Sequence, residues 1–79
     1  MGKSKASRRV VSVREALRKA QRDGWREVRR TAGNHRQFKH PTKKGRVTIS
    51  GNPGDELDLG TLGSIQEQMQ VSQDEWNEL

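Results

Sequence analysis

Apolar residues are scarce in this chain, and they fall on two different periods. Only 28% of the 79 residues are hydrophobic, which is material for one small core and no second domain. Val13, Ala16, Leu17 and Ala20 recur at helical spacing, as do Leu62, Ile65 and Met69. Between these stretches the period drops to two. Phe38 stands alone among polar neighbours, and Val47 and Ile49 flank Thr48, the pattern of strands with one buried face. Helices must therefore cover one face of an antiparallel sheet and leave the other open. The expected division is a basic flexible tail over residues 1–11 and a single domain over residues 12–79.

Turn and cap residues set the order of elements. Ser12-Val13-Arg14-Glu15 fits a capping box at the start of the first helix, and Gly24 stops it. The first strand runs from Trp25 to about Arg30, with Trp25 packed on the helix, Val28 inward, and Glu27 and Arg29 outward. Gly33-Asn34 is turn chemistry, and the second strand continues to Pro41, which bars it from going further. Pro41-Thr42-Lys43-Lys44-Gly45 is a hairpin loop that exposes Lys43 and Lys44, and residues 46–50 form the third strand. Residues 51–56 read as a loop whose return Leu57 and Leu59 pin. Thr61 is the expected N-cap of the second helix. Ser72-Gln73-Asp74-Glu75 is a second capping box with Val71 and Trp76 at the staple positions, so a short terminal helix follows. The order α-β-β-β-α is that of the α+β double-stranded-RNA-binding fold.

Charge is placed unevenly. All 16 Lys and Arg lie in residues 1–46, opposed there only by Glu15, Asp23 and Glu27, whereas residues 47–79 hold seven acids and no basic residue. A cationic half of this size points to a polyanionic partner. The absence of cysteine excludes a disulfide framework and a cysteine-based zinc site. No apolar run approaches the roughly 20 residues that span a membrane. The basic N-terminus lacks the apolar stretch of a secretory signal, so a cytoplasmic protein is expected.

Strand alternation collects Arg29, His35, Gln37, Lys39, Arg46 and Thr48 on the sheet face opposite Phe38. Arg36 and His40 share the parity of Phe38. RNA cleavage requires a deprotonated 2′-hydroxyl, stabilised phosphorane charge and a protonated 5′-oxygen. Histidine exchanges protons near neutral pH, so His35 is the candidate catalytic residue. Arg29, Lys39 and Arg46 are candidate phosphate holders, and Arg36, Gln37, Lys43 and Lys44 complete the candidate RNA contacts. His40, on the other face and before a proline, is the weaker catalytic candidate. Two histidines on opposite faces without a carboxylate cluster do not converge on a metal, so neither a metal nor another cofactor is expected. There is no phosphate-cradling P-loop and no nucleophile elbow.

The ordered set Gly24-Trp25, Gly33-Asn34-His35 with a strand ending His40-Pro41, Val47-Thr48-Ile49, and Gly60-Thr61-Leu62 resembles the HicA toxins of bacterial toxin–antitoxin pairs over about residues 12–71. Asn34 stands where that pattern usually has serine, and Gly51-Asn52-Pro53-Gly54 replaces a loop that often carries a histidine. The resemblance implies a small endoribonuclease acting on mRNA, with the histidine at position 35 needed for cleavage. It also implies neutralisation by a HicB-type antitoxin, with the free toxin a monomer and the complex a hetero-oligomer. Two other readings of the residues stay open: a non-catalytic RNA-binding module, and a protein-interaction domain whose charges serve an acidic partner.

Overall fold

The computed structural model describes residues 10–79, so most of the expected basic tail lies outside the described residues. The elements are β1 (Val11–Ser12), α1 (Val13–Arg22), β2 (Arg26–Thr31), β3 (His35–Lys39), β4 (Val47–Ser50), β5 (Glu56–Leu57), α2 (Leu59–Met69) and α3 (Gln73–Glu78). β2, β3 and β4 form an antiparallel sheet in that order. The expected α-β-β-β-α layout with a short C-terminal helix is therefore the one the chain adopts. β1 and β5 add a second, two-stranded antiparallel sheet, in which Val11 pairs with Leu57. Val11 is buried and so belongs to the folded domain, not to the tail.

One face of the main sheet carries the core. Phe38, Val47 and Ile49 are buried there together with Val13, Ala16 and Ala20 of α1, Ile65 and Met69 of α2, and both tryptophans. Ala16 and Ala20 are small enough to let α1 lie close to the sheet, and each large side chain in such a core contributes about 1.5–3 kcal/mol by leaving water. α3 is held by Lys19, a residue that helical spacing set off the apolar stripe. Its buried ammonium donates to the carbonyls of Trp76 (2.9 Å) and Leu79 (3.1 Å) and lies 5.3 Å from the centre of the Trp76 ring. A cation at the C-terminal end of a helix is favoured by the helix dipole, and its aliphatic stem adds apolar cover.

Three other expectations change. Val28 is 53% exposed. The β2–β3 register pairs Glu27 with Phe38 and Arg29 with Gln37, so Val28 is an extra residue, a β-bulge. Alternation from Glu27 then turns Val28 to the open face, where Arg29 also lies, and puts Glu27 on the helix-side face, where it remains exposed. Leu59 does not pin the loop: it is 81% exposed, and Leu57 packs on the core instead. α2 starts earlier than Thr61 because Asp58 is its N-cap, accepting a 2.7 Å hydrogen bond from the Thr61 backbone N–H. That bond stabilises the charged carboxylate and holds it below its ordinary pKa. Ser12 and Ser72 cap α1 and α3 as their sequences indicate, and the Ser72–Glu75 capping box is complete.

The end of α1 is where the layers are tied together. The N–H groups of Gly24 and Trp25 return to the carbonyls of Gln21 and Ala20, a Schellman closure that needs a left-handed residue at position 24. Gly24 supplies it with φ +105°. The Asp23 carbonyl accepts from His40 Nε2 at 2.7 Å, and the Asp23 carboxylate accepts from Trp25 Nε1 at 3.0 Å and Lys43 Nζ at 2.7 Å. Lys43 also donates to the Met69 carbonyl at the end of α2 (3.0 Å). The His40 ring packs edge-on against Trp25, 5.1 Å between centroids. A β-carbon at position 24 would stand 2.8 Å from His40 Nε2, and that ring is too well held to move aside. Gly24→Ala combines this clash with an unfavourable φ and is expected to cost more than about 1 kcal/mol. Urea denaturation measures it, and an unchanged midpoint would contradict the close approach.

Candidate functional site on the open sheet face

The face of the sheet turned away from the helices is organised in cross-strand rows. In the first row Thr31, His35 and Ser50 lie opposite one another, and in the second Arg29, Gln37 and Thr48. Arg26 faces Lys39 beyond them. Directly opposed residues in antiparallel strands share a face, so these side chains form one hydrogen-bonding, cationic surface. Arg46, just before β4, joins it by donating from Nη1 to Gln37 Oε1 at 2.7 Å.

His35 sits where β3 begins. The three residues Ala32, Gly33 and Asn34 turn the chain between Thr31 and His35. Ala32 and Gly33 take φ of 51° and 76°, and the Asn34 N–H closes onto the Ala32 carbonyl at 2.8 Å. The Asn34 carbonyl in turn accepts from Gly51 N–H at 3.1 Å. The backbone at His35 is thus anchored on both sides, while its imidazole is exposed and makes none of the side-chain hydrogen bonds found among the described residues.

His40 is the opposite case. Nε2 faces the Asp23 carbonyl, which can only accept, and Nδ1 receives the N–H groups of Thr42 and Lys43, each at 3.1 Å. That pattern fixes one neutral tautomer, with the proton on Nε2, and commits the ring to holding a loop. Both histidines therefore have defined places, and only His35 presents its ring nitrogens to a ligand.

Not every sequence-derived candidate reaches this face. Arg29, Gln37, Lys39 and Arg46 do. Arg36 opposes Ile49 and Arg30 on the helix-side face and donates to the Gly51 carbonyl at 3.3 Å, where it supports the loop beside His35. Lys43 is not the exposed loop lysine that composition suggested: it is half-buried and bridges Asp23 and Met69. Lys44 is exposed in the β3–β4 loop, at the end of the sheet away from His35. Arg30 is held by Glu27 in a two-point ion pair (2.8 and 3.0 Å) that lowers the Glu27 pKa and raises that of Arg30. Sequence reasoning passed over Thr31, Ser50 and Arg26. A three-residue turn after Thr31 sets it opposite His35, and Ser50 shares the parity of Thr48, so two of the three were legible. Arg26 was hidden by the bulge: with Val28 taken as inward, alternation turned Arg26 inward as well.

Chemically, the face offers one accessible imidazole, two flanking hydroxyls and several cationic donors. Among the described residues no three His, Cys, Asp or Glu side chains are grouped so as to hold a metal ion, and no helix is long and apolar enough to cross a membrane.

A family model described as the HicA toxin of bacterial toxin–antitoxin pairs matches residues 13–71, three quarters of the chain. The matched span contains α1, all three strands of the main sheet and α2, and hence the whole open face. No curated protein matches the chain.

Two substitutions separate framework cations from surface cations. Lys43→Ala removes the cation from the Asp23 carboxylate, which keeps only Trp25 Nε1, and takes a donor from the Met69 carbonyl, and it is expected to cost about 1–3 kcal/mol. Arg46→Ala, at an exposed position, is expected to stay within about 0.5 kcal/mol. Denaturation midpoints decide, and equal effects would contradict the division.

Proposed function

The chain belongs to the HicA toxin family of bacterial toxin–antitoxin pairs, and from that premise we propose that it is an endoribonuclease that cleaves mRNA on its open sheet face, is sequence-relaxed and metal-independent, and is kept inactive by a HicB-type antitoxin. The observation that carries the reading is the contrast between its two histidines. His40 is saturated with framework hydrogen bonds, whereas His35 is exposed at a strand end, at one edge of a donor surface.

In this reading RNA lies across β2, β3 and β4. Arg29, Lys39 and Arg46 hold phosphates on the face itself, with Gln37 among them and Lys44 at its margin. His35 takes the proton of a 2′-hydroxyl. The 2′-oxygen attacks the adjacent phosphorus, the bond to the 5′-oxygen breaks, and that oxygen is protonated by water or by the imidazolium just formed. Cationic side chains stabilise the phosphorane charge that develops between these events. A single histidine cannot supply base and acid at the same instant, so turnover is expected to be slow. Arg36 and Lys43 are outside the contact set, because both hold the framework. The acids of α2 and α3 disfavour RNA at those two helices, and the antitoxin's task is to cover or distort the sheet face. The protein acts in the cytoplasm, where mRNA and its antitoxin are met.

The test compares wild type and His35→Ala on labelled single-stranded RNA in the presence of EDTA. The wild type is expected to cut and the variant to lose at least a hundredfold in rate, with binding affinity changed less than threefold. Equal cutting by both proteins would contradict the assignment of His35. Binding without cutting by the wild type would favour the non-catalytic RNA-binding module.

A further inference from the structure

Gln37 and Arg46 form a contact whose polarity is informative. Gln37 lies at the centre of the open face, two residues after His35 on β3, opposite Arg29 on one side and Thr48 on the other. Its amide oxygen is occupied by Arg46 Nη1 at 2.7 Å. A glutamine amide has one oxygen acceptor and one NH2 donor group, so with the oxygen engaged the side chain presents its donors outward. Arg46 has donors only. The contact thus engages one lone pair of the acceptor in the middle of the face and leaves a pair whose free N–H groups outnumber its remaining acceptor capacity. The contact also orients the Arg46 guanidinium on the face.

We infer that the Gln37–Arg46 pair is a phosphate seat that positions the RNA strand for cleavage at His35, with Gln37 acting as a positioning residue through Arg46 rather than as a catalytic one. This rests on the ribonuclease reading above. Two residues along β3 amount to roughly 7 Å, about one nucleotide of an extended strand. A phosphodiester on the pair therefore puts its neighbour at His35. A phosphodiester oxygen accepts and never donates, which matches a donor-rich seat. A base edge offers both kinds of group and matches it less well, so the pair contributes register without sequence preference. The flanking Arg29 and Lys39 extend the same donor character along the strand.

The test uses RNA binding in the non-cleaving His35→Ala background, together with steady-state cleavage in the active protein. Gln37→Glu preserves the contact to Arg46 but turns it into an ion pair and replaces the outward donors with a carboxylate oxygen. It is expected to raise the Kd for a single-stranded RNA oligonucleotide about tenfold or more. It is also expected to reduce the slope of log K against log salt by about 0.7, the share of one phosphate contact in a single strand. Arg46→Ala should give the same reduction in slope. Gln37→Ala, which keeps the arginine charge, should weaken binding only a fewfold and leave the slope unchanged. In the active protein all three should raise KM more than they lower kcat, and melting midpoints confirm that each is folded.

Wild-type affinity and slope in Gln37→Glu would overturn the inference, as would a wild-type slope in Arg46→Ala. So would variants that lose affinity for an acidic antitoxin while keeping it for RNA, since the pair would then serve a protein. Failure of the ribonuclease reading shows separately, as RNA binding by the parent with no cleavage by the wild type, and the slopes then still decide whether the pair seats phosphate.

Discussion

Asp23 holds this small domain together. Its carbonyl receives His40, its carboxylate receives Trp25 and Lys43, and Lys43 continues to the end of α2. Four segments meet at that one residue: the close of α1, the start of β2, the β3–β4 loop and the end of α2. In a chain with so little apolar material, such a polar knot does what a larger core would otherwise do. Each net hydrogen bond contributes only about 1 kcal/mol, but losing one partner here strands several others. The knot also explains why His40 is unavailable for chemistry. It fixes the C-terminal end of β3, and β3 carries His35 at its other end. The site is therefore positioned from a distance, by contacts on the helical side of the sheet.

A second constraint is the division of cations between framework and surface. Lys19, Arg36 and Lys43 are spent on carbonyls and a carboxylate inside the domain, and Arg30 on Glu27. Those left on the open face are ordered by register: Arg29 opposite Gln37, Arg26 opposite Lys39, and Arg46 fastened to Gln37. High net charge alone would predict diffuse attraction to any polyanion. Rows of donors at strand spacing, next to an accessible imidazole, are a more specific arrangement.

Much of this was legible in the sequence, because the signals there are local. Apolar periodicity gave the helix–sheet–helix order, and serine caps gave helix starts. The alternation around Phe38 put His35, Gln37 and Lys39 on one face. What was hidden depends on tertiary geometry. The bulge at Val28 cannot be read from a six-residue strand, since only pairing with β3 reveals the extra residue. Asp58 captured the start of α2 from Thr61 because two acceptable caps stand three residues apart. Lys19 and Lys43 look like any surface lysine until the carbonyl ends of α3 and α2 are brought to them. The family pattern located the histidine of interest, while the hydrogen bonds explain why its neighbour at position 40 is a framework residue.

In the proposed function RNA is engaged by the open face, with His35 at its working end. The most direct measurement is backbone NMR of labelled His35→Ala protein titrated with single-stranded RNA. The largest shift changes are expected at Arg29, Thr31, Gln37, Lys39, Thr48 and Ser50, with the amides of α2 and α3 little affected. Changes centred on the exposed side of α1 or on α2, with the sheet face silent, would contradict it.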